Sequence, residues 1–331
     1  MNNTLLVVVI VVGLAFDFTN GFHDTANYVA TWVGTRALSP RMAVAISAVA
    51  NLAGAFVTTA VAKTVATGII DTGLATSKTV LAALLGAIVW NLVTWWLGLP
   101  SSSTHALIGG LVGAALVQSG ASGVQWHGIV DKVIIPGAVS PVIGFAGAFV
   151  LIFLIYRIFF RVPPGVANRG FRVGQLFSGT WVAFTHGAND AQKTMGVITL
   201  ALIANGNLSA DTFEVPTWVK ISAGLTIAAG TYAGGWRIIR TLGQRIYKMQ
   251  PEHGFAAQLS AGTTLAVGTH FGFPISTTHV VTGSIMGAGA IRGVSAVKWG
   301  IAGNILTAWL LTLPAAALVS GLLYYPVNWI F

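Results

Sequence analysis

The chain of 331 residues has no cysteine, only eight acidic side chains, and just 8% charged residues of either sign. Without thiols there are no disulfides and no thiolate metal sites. So little charge excludes an ordinary soluble domain, in which roughly a quarter of the residues are charged. Apolar residues take up the difference, at 55% of the total. They gather in runs of about 20 residues, each long enough to cross a hydrocarbon core about 30 Å thick as a helix. The alternating pattern of a membrane barrel is not what these runs show. The fold class is therefore an all-α polytopic membrane protein, multi-pass in the cell membrane, with the lipid bilayer around it. A formal net charge of +9 would suit nucleic acid. The bases, however, sit in short connectors where the positive-inside rule accounts for them, so no nucleic-acid partner is expected. The first run, LLVVVIVVGLAF from Leu5 to Phe16, follows MNNT with no basic segment before it, and reads as a retained helix rather than a cleaved signal.

Two pairs of segments recur in the same order. FTNGFHD, from Phe18, matches FTHGAND, from Phe184, at a shift of 166, and GLPSSSTHALIGGLVGA, from Gly98, matches GFPISTTHVVTGSIMGA, from Gly272, at a shift of 174. Nearly equal shifts imply duplication of a unit of about 165 residues, with its boundary in the basic stretch from Tyr156 to Arg172. The first half reads as apolar elements over 5–34, 42–65, 79–97, 104–118 and 129–160, and the second over 174–204, 217–236, 255–271, 278–290 and 296–325. The opening element of each half is expected to be interrupted, between Asp17 and Asn27 and between His186 and Asp190. An odd count per half makes the second copy enter the membrane from the opposite side. Residues 1–165 and 166–331 are thus expected to be inverted repeats with the site between them. Arg157, Arg161, Arg169 and Arg172 mark the central connector as cytoplasmic, as Arg237, Arg240, Arg245 and Lys248 mark another, and Arg36 and Arg41 a third. The connector with Asp211 and Glu214 carries no base and belongs outside, as do both termini.

The repeated polar motifs lie deep. From Leu5 to Phe16 is 12 residues, about 18 Å of helix, which brings Asp17 to Asp24 near the bilayer midplane. Gln175 to His186 is also 12 residues and carries Asn189 and Asp190 to a similar depth from the opposite face. An uncompensated carboxylate there costs about 2.5–3.5 kcal/mol on insertion scales, so it faces a polar cavity or a partner. Asp24 and Asp190 are the matched pair. Asp17 has Ala183 as its counterpart, so a structural role and a direct one stay equally open for it.

The second motif has other chemistry. Pro100 is followed by Ser101, Ser102, Ser103 and Thr104, and Pro274 by Ser276, Thr277 and Thr278. Each cluster opens a helix, whose free N–H groups, positive dipole end and hydroxyls make an anion site without a fixed cation. Two such ends aimed at one point suit a tetrahedral oxyanion, although Ser and Thr also cap helices for structural reasons alone. An anion beside Asp24 and Asp190 needs accompanying cations or protons. Asp24, Asp190, Asn27, Asn189 and Gln192 offer oxygens for one, Na+ at Asp24 and Asp190 included. A carboxylate also accepts a hydrogen bond from a protonated oxyanion, which favours phosphate over sulfate. Asn20, His23 and His186 are expected to support the site from behind. His105 and His279 hold matched positions as proton acceptors or, more simply, as packed histidines. Lys193, one turn after Asp190, carries a charge for binding substrate or for pairing with a carboxylate, and the ion pair is the favoured expectation. Trp95 and Trp96 belong at the membrane interface.

NGFHDTANYVAT, GLPSSSTHALIGG, FTHGANDAQKTMG and GFPISTTHVVTGS resemble the signature segments of the low-affinity inorganic phosphate transporter (Pit) family, in the same order over nearly the whole chain. The resemblance implies a secondary transporter, not an enzyme, that moves inorganic phosphate with protons or sodium, in some bacterial members as a divalent metal–phosphate complex. It also implies about twelve transmembrane segments, a homodimer and no cofactor beyond the coupling ion. It assigns Asp24, Asn27, Asn189, Asp190 and Gln192 to substrate and cation, and Ser102, Ser103, Thr104, Ser276, Thr277 and Thr278 to phosphate. Two departures stand out: Asn51 occupies a position where many sodium-coupled members carry glutamate, and the central connector is short, about 15 residues by the sequence reading. GFHDTAN resembles the bacterial, proton-coupled branch more closely. A sulfate permease is the rival within the class. A metal-dependent phosphohydrolase using His23, Asp24, His186 and Asp190 is the rival outside it.

Overall fold

The computed structural model describes residues 3–209, 212–247 and 249–331. Asp211 and Lys248 lie outside the described residues, as does the side chain of Arg245. Fourteen helices are seen among the described residues. They are α1 (Asn3–Asp24), α2 (Ala26–Gly34), α3 (Pro40–Gly54), α4 (Ala60–Thr67), α5 (Ser77–Leu97), α6 (Ser103–Ser119), α7 (Trp126–Ile129) and α8 (Ile135–Ile158). They continue with α9 (Pro164–Ala204), α10 (Thr217–Ala233), α11 (Trp236–Arg240), α12 (Pro251–His270), α13 (Thr277–Ala290) and α14 (Trp299–Ile330). A five-residue wide turn joins α7 to α8. The protein is an all-α, multi-spanning membrane fold. Five helical segments are long and apolar enough to cross a membrane: 3–34, 77–97, 103–123, 126–158 and 299–330.

The other expected elements are helical but shorter or more polar. α3, α10 and α13 have 15, 17 and 14 residues, and at 1.5 Å per residue none reaches about 30 Å. The expected span 42–65 is split by a bend over residues 55–59. The central connector is shorter than its sequence suggests. Only 159–163 are non-helical, and Arg169 and Arg172 already belong to α9.

Of the two expected breaks, the first is seen at Thr25, within the interval from Asp17 to Asn27, and the second is not seen. α9 runs for 41 residues straight through His186 to Asp190, and in the first half one residue, Thr25, separates α1 from α2. Along α9, Asp190, His186, Gln192 and Lys193 find partners on helices of the other half, and the helix stays continuous. Thr25 Oγ1 donates to the carbonyls of Gly21 at 2.7 Å and Thr231 at 3.1 Å.

Each motif also carries the glycine that lets a helix of the other half approach. A Cβ on Gly21 would lie 2.5 Å from the Ile227 carbonyl oxygen of α10, and one on Gly187 2.1 Å from the Asn51 carbonyl oxygen of α3. The packing crosses between halves throughout. α1 lies on α10, α3 on α9, α8 on α12 and α13, and α14 on α5 and α6.

Two large apolar clusters and a small third one around Ile152, Ile155 and Ala256 form the core, and the polar motifs lie between the two large ones. Along α1 the first cluster ends at Phe16 and the second resumes at Ala26 on α2. Along α9 the order is reversed, with the second cluster ending at Ala183 and the first resuming at Ala191.

Candidate functional site

The intervals 17–24 of α1 and 185–194 of α9 face each other, joined by the starts of α6 and α13. Asp17, Asp24, Asp190 and Lys193 are all buried. Both Ser-rich starts follow a glycine in the left-handed region, Gly98 at φ 66° and Gly272 at φ 70°, where a side chain would be strained. The chain turns there and begins a helix after each proline. Ser102 and Ser276 cap these helices, accepting from the backbone N–H of His105 at 3.1 Å and His279 at 3.3 Å. This is ordinary N-capping, so these two hydroxyls serve their own helices.

The next residues reach the acids. Ser103 Oγ donates to Asn20 Oδ1 at 2.6 Å and lies 3.2 Å from Asp24 Oδ2. Thr277 Oγ1 donates to Asp190 Oδ1 at 3.2 Å. One position further on, Asn27 Nδ2 donates to Thr278 Oγ1 at 3.0 Å, and Lys193 Nζ donates to Thr104 Oγ1. At the shift of 166, Lys193 is the counterpart of Asn27. The contacts therefore obey the internal repeat even where the residues differ.

Lys193 is also paired with Asp190, Nζ lying 2.7 Å from Oδ1. Asn20 Nδ2 reaches Asp190 Oδ2 at 3.3 Å. His23 Nδ1 lies 2.7 Å from Asp24 Oδ1, and its Nε2 faces Thr94 Oγ1 at 3.1 Å and Ser101 Oγ at 3.3 Å. Asp17 Oδ1 accepts from Thr194 Oγ1 at 2.9 Å.

His186 is more central than its place in the sequence suggests. Its Nε2 lies 3.6 Å from Asp190 Oδ2 and 3.8 Å from Asp24 Oδ2, and has no hydrogen-bond partner. Its Nδ1 is 2.6 Å from Asn51 Oδ1, while Asn51 Nδ2 donates to the Ser47 carbonyl at 2.9 Å. A carbonyl only accepts, so the Asn51 amide is oriented with its oxygen toward the ring, and Nδ1 carries a hydrogen. In the neutral ring Nε2 then presents a lone pair to two carboxylates. Ligand atoms of Asp24, His186 and Asp190 all lie within 4.8 Å of one another, close enough to hold one metal ion. Carboxylate and imidazole together are a suitable donor set for a divalent metal.

Other expected site residues stand apart. Gln192 Oε1 accepts from the backbone N–H groups of Val61 at 2.8 Å and Ala62 at 3.2 Å, so the side chain closes the N-terminus of α4. Asn189 Nδ2 donates to Thr269 Oγ1 at 2.9 Å and to the Phe273 carbonyl at 3.0 Å, leaving Oδ1 bare. His105 and His279 stack edge to face behind the helix starts, with ring centres 4.8 Å apart, and His279 lies on Trp309. Trp96 is exposed and holds Arg237, whose guanidinium sits 4.3 Å from its ring centre. Thr94 and Thr194 were missed as partners of the motif residues. Only the depth of a polar residue in an apolar run could have flagged them.

A charged, hydroxyl-lined centre sealed inside a multi-spanning helical bundle is the construction of a membrane transport protein. The description "Phosphate transporter family" matches residues 20–169 and 162–320. A probable low-affinity inorganic phosphate transporter of Mycobacterium tuberculosis is 51% identical over 98% of this chain and 78% of its own. Similarly described proteins of Rhizobium meliloti (49%, 98% of this chain and 97% of the relative) and Bacillus subtilis (43%, 99% and 98%) match throughout. A solved structure described as "The sodium-dependent phosphate transporter" superposes with a TM-score of 0.89 at 26% identity, covering 99% of this chain and 100% of that one. The chain belongs to the phosphate transporter family.

Proposed function

We propose that the protein is a secondary transporter which carries inorganic phosphate across the membrane together with a cation, by alternating access, and that it is not an enzyme. The observation that carries the coupling is His186 Nε2, which has no hydrogen-bond partner and lies 3.8 Å from Asp24 and 3.6 Å from Asp190, both buried. With the ring neutral, two carboxylates and a nitrogen lone pair repel one another until a proton or metal ion enters. Phosphate is the cargo named for the relatives, and the chemistry fits: Ser103 and Thr277, with Thr104 and Thr278, bring hydroxyls to the same point as the starts of α6 and α13. Ser102 and Ser276 act by holding those helix ends in place. Asp24 and Asp190 accept hydrogen bonds from a protonated oxyanion, which favours phosphate over sulfate.

In this reading Asp24, Asp190 and His186 bind the coupling cation, with Asn27 and Asn189 flanking, and Gln192 is released to its capping role. A proton is the favoured ion; sodium and a divalent metal–phosphate complex are the alternatives the site accommodates. Residues 1–165 and 166–331 are inverted repeats that rock about the site. The reversed order of the apolar clusters along α1 and α9 supports this, as do the short helices α6 and α13, which start beside the acids. The bases flanking the α8–α9 junction support a cytoplasmic location for it and outside termini. A homodimer is part of the same reading.

Phosphate uptake into proteoliposomes under separately imposed proton and sodium gradients tests the function, with excess unlabelled sulfate as competitor. Accumulation of phosphate, unaffected by sulfate and abolished in Asp24→Asn and Asp190→Asn, is expected. Full gradient-driven uptake in both variants would remove the role given to the acids, and competition by sulfate would change the substrate.

A further inference from the structure

Asp17 is a third buried carboxylate that the coupling scheme above leaves unused. It lies seven residues, about two helical turns, before Asp24 on α1, and it is fully buried. Thr194 Oγ1 satisfies one oxygen at 2.9 Å, and the other, Oδ2, has no partner. A bare carboxylate oxygen in such a place is costly unless something sits on it.

The charges around it sharpen the point. Its charged neighbours are Asp190 and Lys193, both on α9, and Lys193 is already engaged by Asp190 at 2.7 Å. α5 and α10 also pack on α1; their charged residues, Lys78 and Lys220, lie in the first turns of those helices, and Lys78 Nζ is held by Asn328 Oδ1 at 3.0 Å. α6 contributes His105 and no fixed charge. Fully ionised, Asp17, Asp24 and Asp190 against Lys193 give a centre of net charge −2, with His neutral, before any phosphate enters.

The geometry points to Asp17 as a proton carrier of the transport cycle: it holds the proton on Oδ2 in the closed state, and its ionisation is tied to entry and release of phosphate at the neighbouring centre. A metal ion is a poor occupant there. The metal-capable cluster found among the described residues comprises Asp24, His186 and Asp190 and leaves Asp17 out. A proton needs one oxygen, whereas hard cations take six or more oxygen ligands. The repeat supports the assignment from another side. Asp17 has Ala183 as its counterpart, so it is not required by the duplicated frame. It adds an ionisable group to one half alone.

This inference rests on the phosphate-transport reading, and the experiment separates the two. Wild type, Asp17→Asn and Thr194→Val are compared in proteoliposomes for phosphate accumulation under a proton gradient and for phosphate/phosphate exchange without a gradient. Asn is nearly the same size and keeps an acceptor for Thr194. The expected result is exchange within about twofold of wild type in Asp17→Asn, with accumulation driven by the proton gradient reduced at least tenfold. Thr194→Val removes the donor that favours the ionised form, so its pH profile for accumulation should move to higher pH. Undiminished proton-driven accumulation in Asp17→Asn overturns the inference. So does loss of exchange together with accumulation, which would make Asp17 a support of the site. Accumulation by the wild type under a sodium gradient alone overturns it while leaving phosphate transport intact, and no phosphate movement in the wild type defeats the transport reading itself.

Discussion

Lys193 and Asp190 form the ion pair that gives the closed centre its fixed positive charge. At 2.7 Å the attraction is about 6 kcal/mol at an effective dielectric of about 20. Much of it is offset by the several kcal/mol that burying each ion costs. The informative quantity is therefore the stability lost when one partner is removed. Lys193→Gln leaves Asp190 with hydrogen bonds from Thr277 and Asn20 but no countercharge. Asp190→Asn leaves an ammonium with Thr104 and the Ile275 carbonyl. Each single variant should lose about 3–5 kcal/mol, the usual cost of breaking a buried pair. The double variant, with neutral amides at both positions, should lose less than either, giving a coupling of about 3 kcal/mol or more. Equilibrium unfolding of the four purified proteins in one detergent measures the cycle. Additive losses, or single losses under about 1 kcal/mol, would show that the pair is not what balances this centre and would refute the electrostatic reasoning.

Two further outcomes test the frame around the site. Gly187→Ala and Gly21→Ala place a methyl 2.1 Å and 2.5 Å from backbone oxygens of the facing helices. Overpacking of this kind should cost about 3 kcal/mol or more each and lower the yield of folded protein, whereas Gly300→Ala, which meets nothing within 4 Å, should be silent in the same size-exclusion assay. Ser102→Ala and Ser276→Ala should each lower unfolding stability by about 1 kcal/mol, as lost caps do, while retaining transport better than Ser103→Ala and Thr277→Ala, whose hydroxyls reach the carboxylates.

Much of this was legible because the signals are local. The elements expected at 79–97 and 104–118 are observed as Ser77–Leu97 and Ser103–Ser119, since a glycine that ends one helix and a proline and serine that start the next all act within a few residues. What could not be read depends on contacts far apart in the chain. His23, Asn20 and His186 looked peripheral because nothing in their spacing shows that Asn51, 135 positions from His186, orients its ring. Gln192 looked like a ligand because its use by the α4 backbone depends on how α4 lies against α9. The expected breaks rested on a rule that polar residues at depth interrupt a helix. That rule yields where the opposite half supplies partners, as it does here for α9.

The repeat is closer in geometry than in chemistry, and that difference can be tested. Contacts are paired across the halves: Ser103 with Asp24 and Thr277 with Asp190, Asn27 with Thr278 and Lys193 with Thr104. Yet the second half carries lysine where the first has asparagine, and the first carries Asp17 where the second has alanine. If position and not sequence neighbourhood sets the contact, a lysine at 27 should reach Thr278 as Lys193 reaches Thr104, and should lie three residues from Asp24 as Lys193 does from Asp190. Lys193→Asn alone strips the centre of its fixed cation and should destabilise it by about 3–5 kcal/mol. Adding Asn27→Lys returns one positive charge to the same buried volume through the other half, and should recover at least half of that loss in equilibrium unfolding. Recovery would mean that the halves are interchangeable as frames and differ by the charge each holds. A double variant no more stable than Lys193→Asn would mean that the Asp24 side, already hydrogen-bonded by His23 at 2.7 Å, cannot take a cation, and that the asymmetry of charge is itself required by the packing.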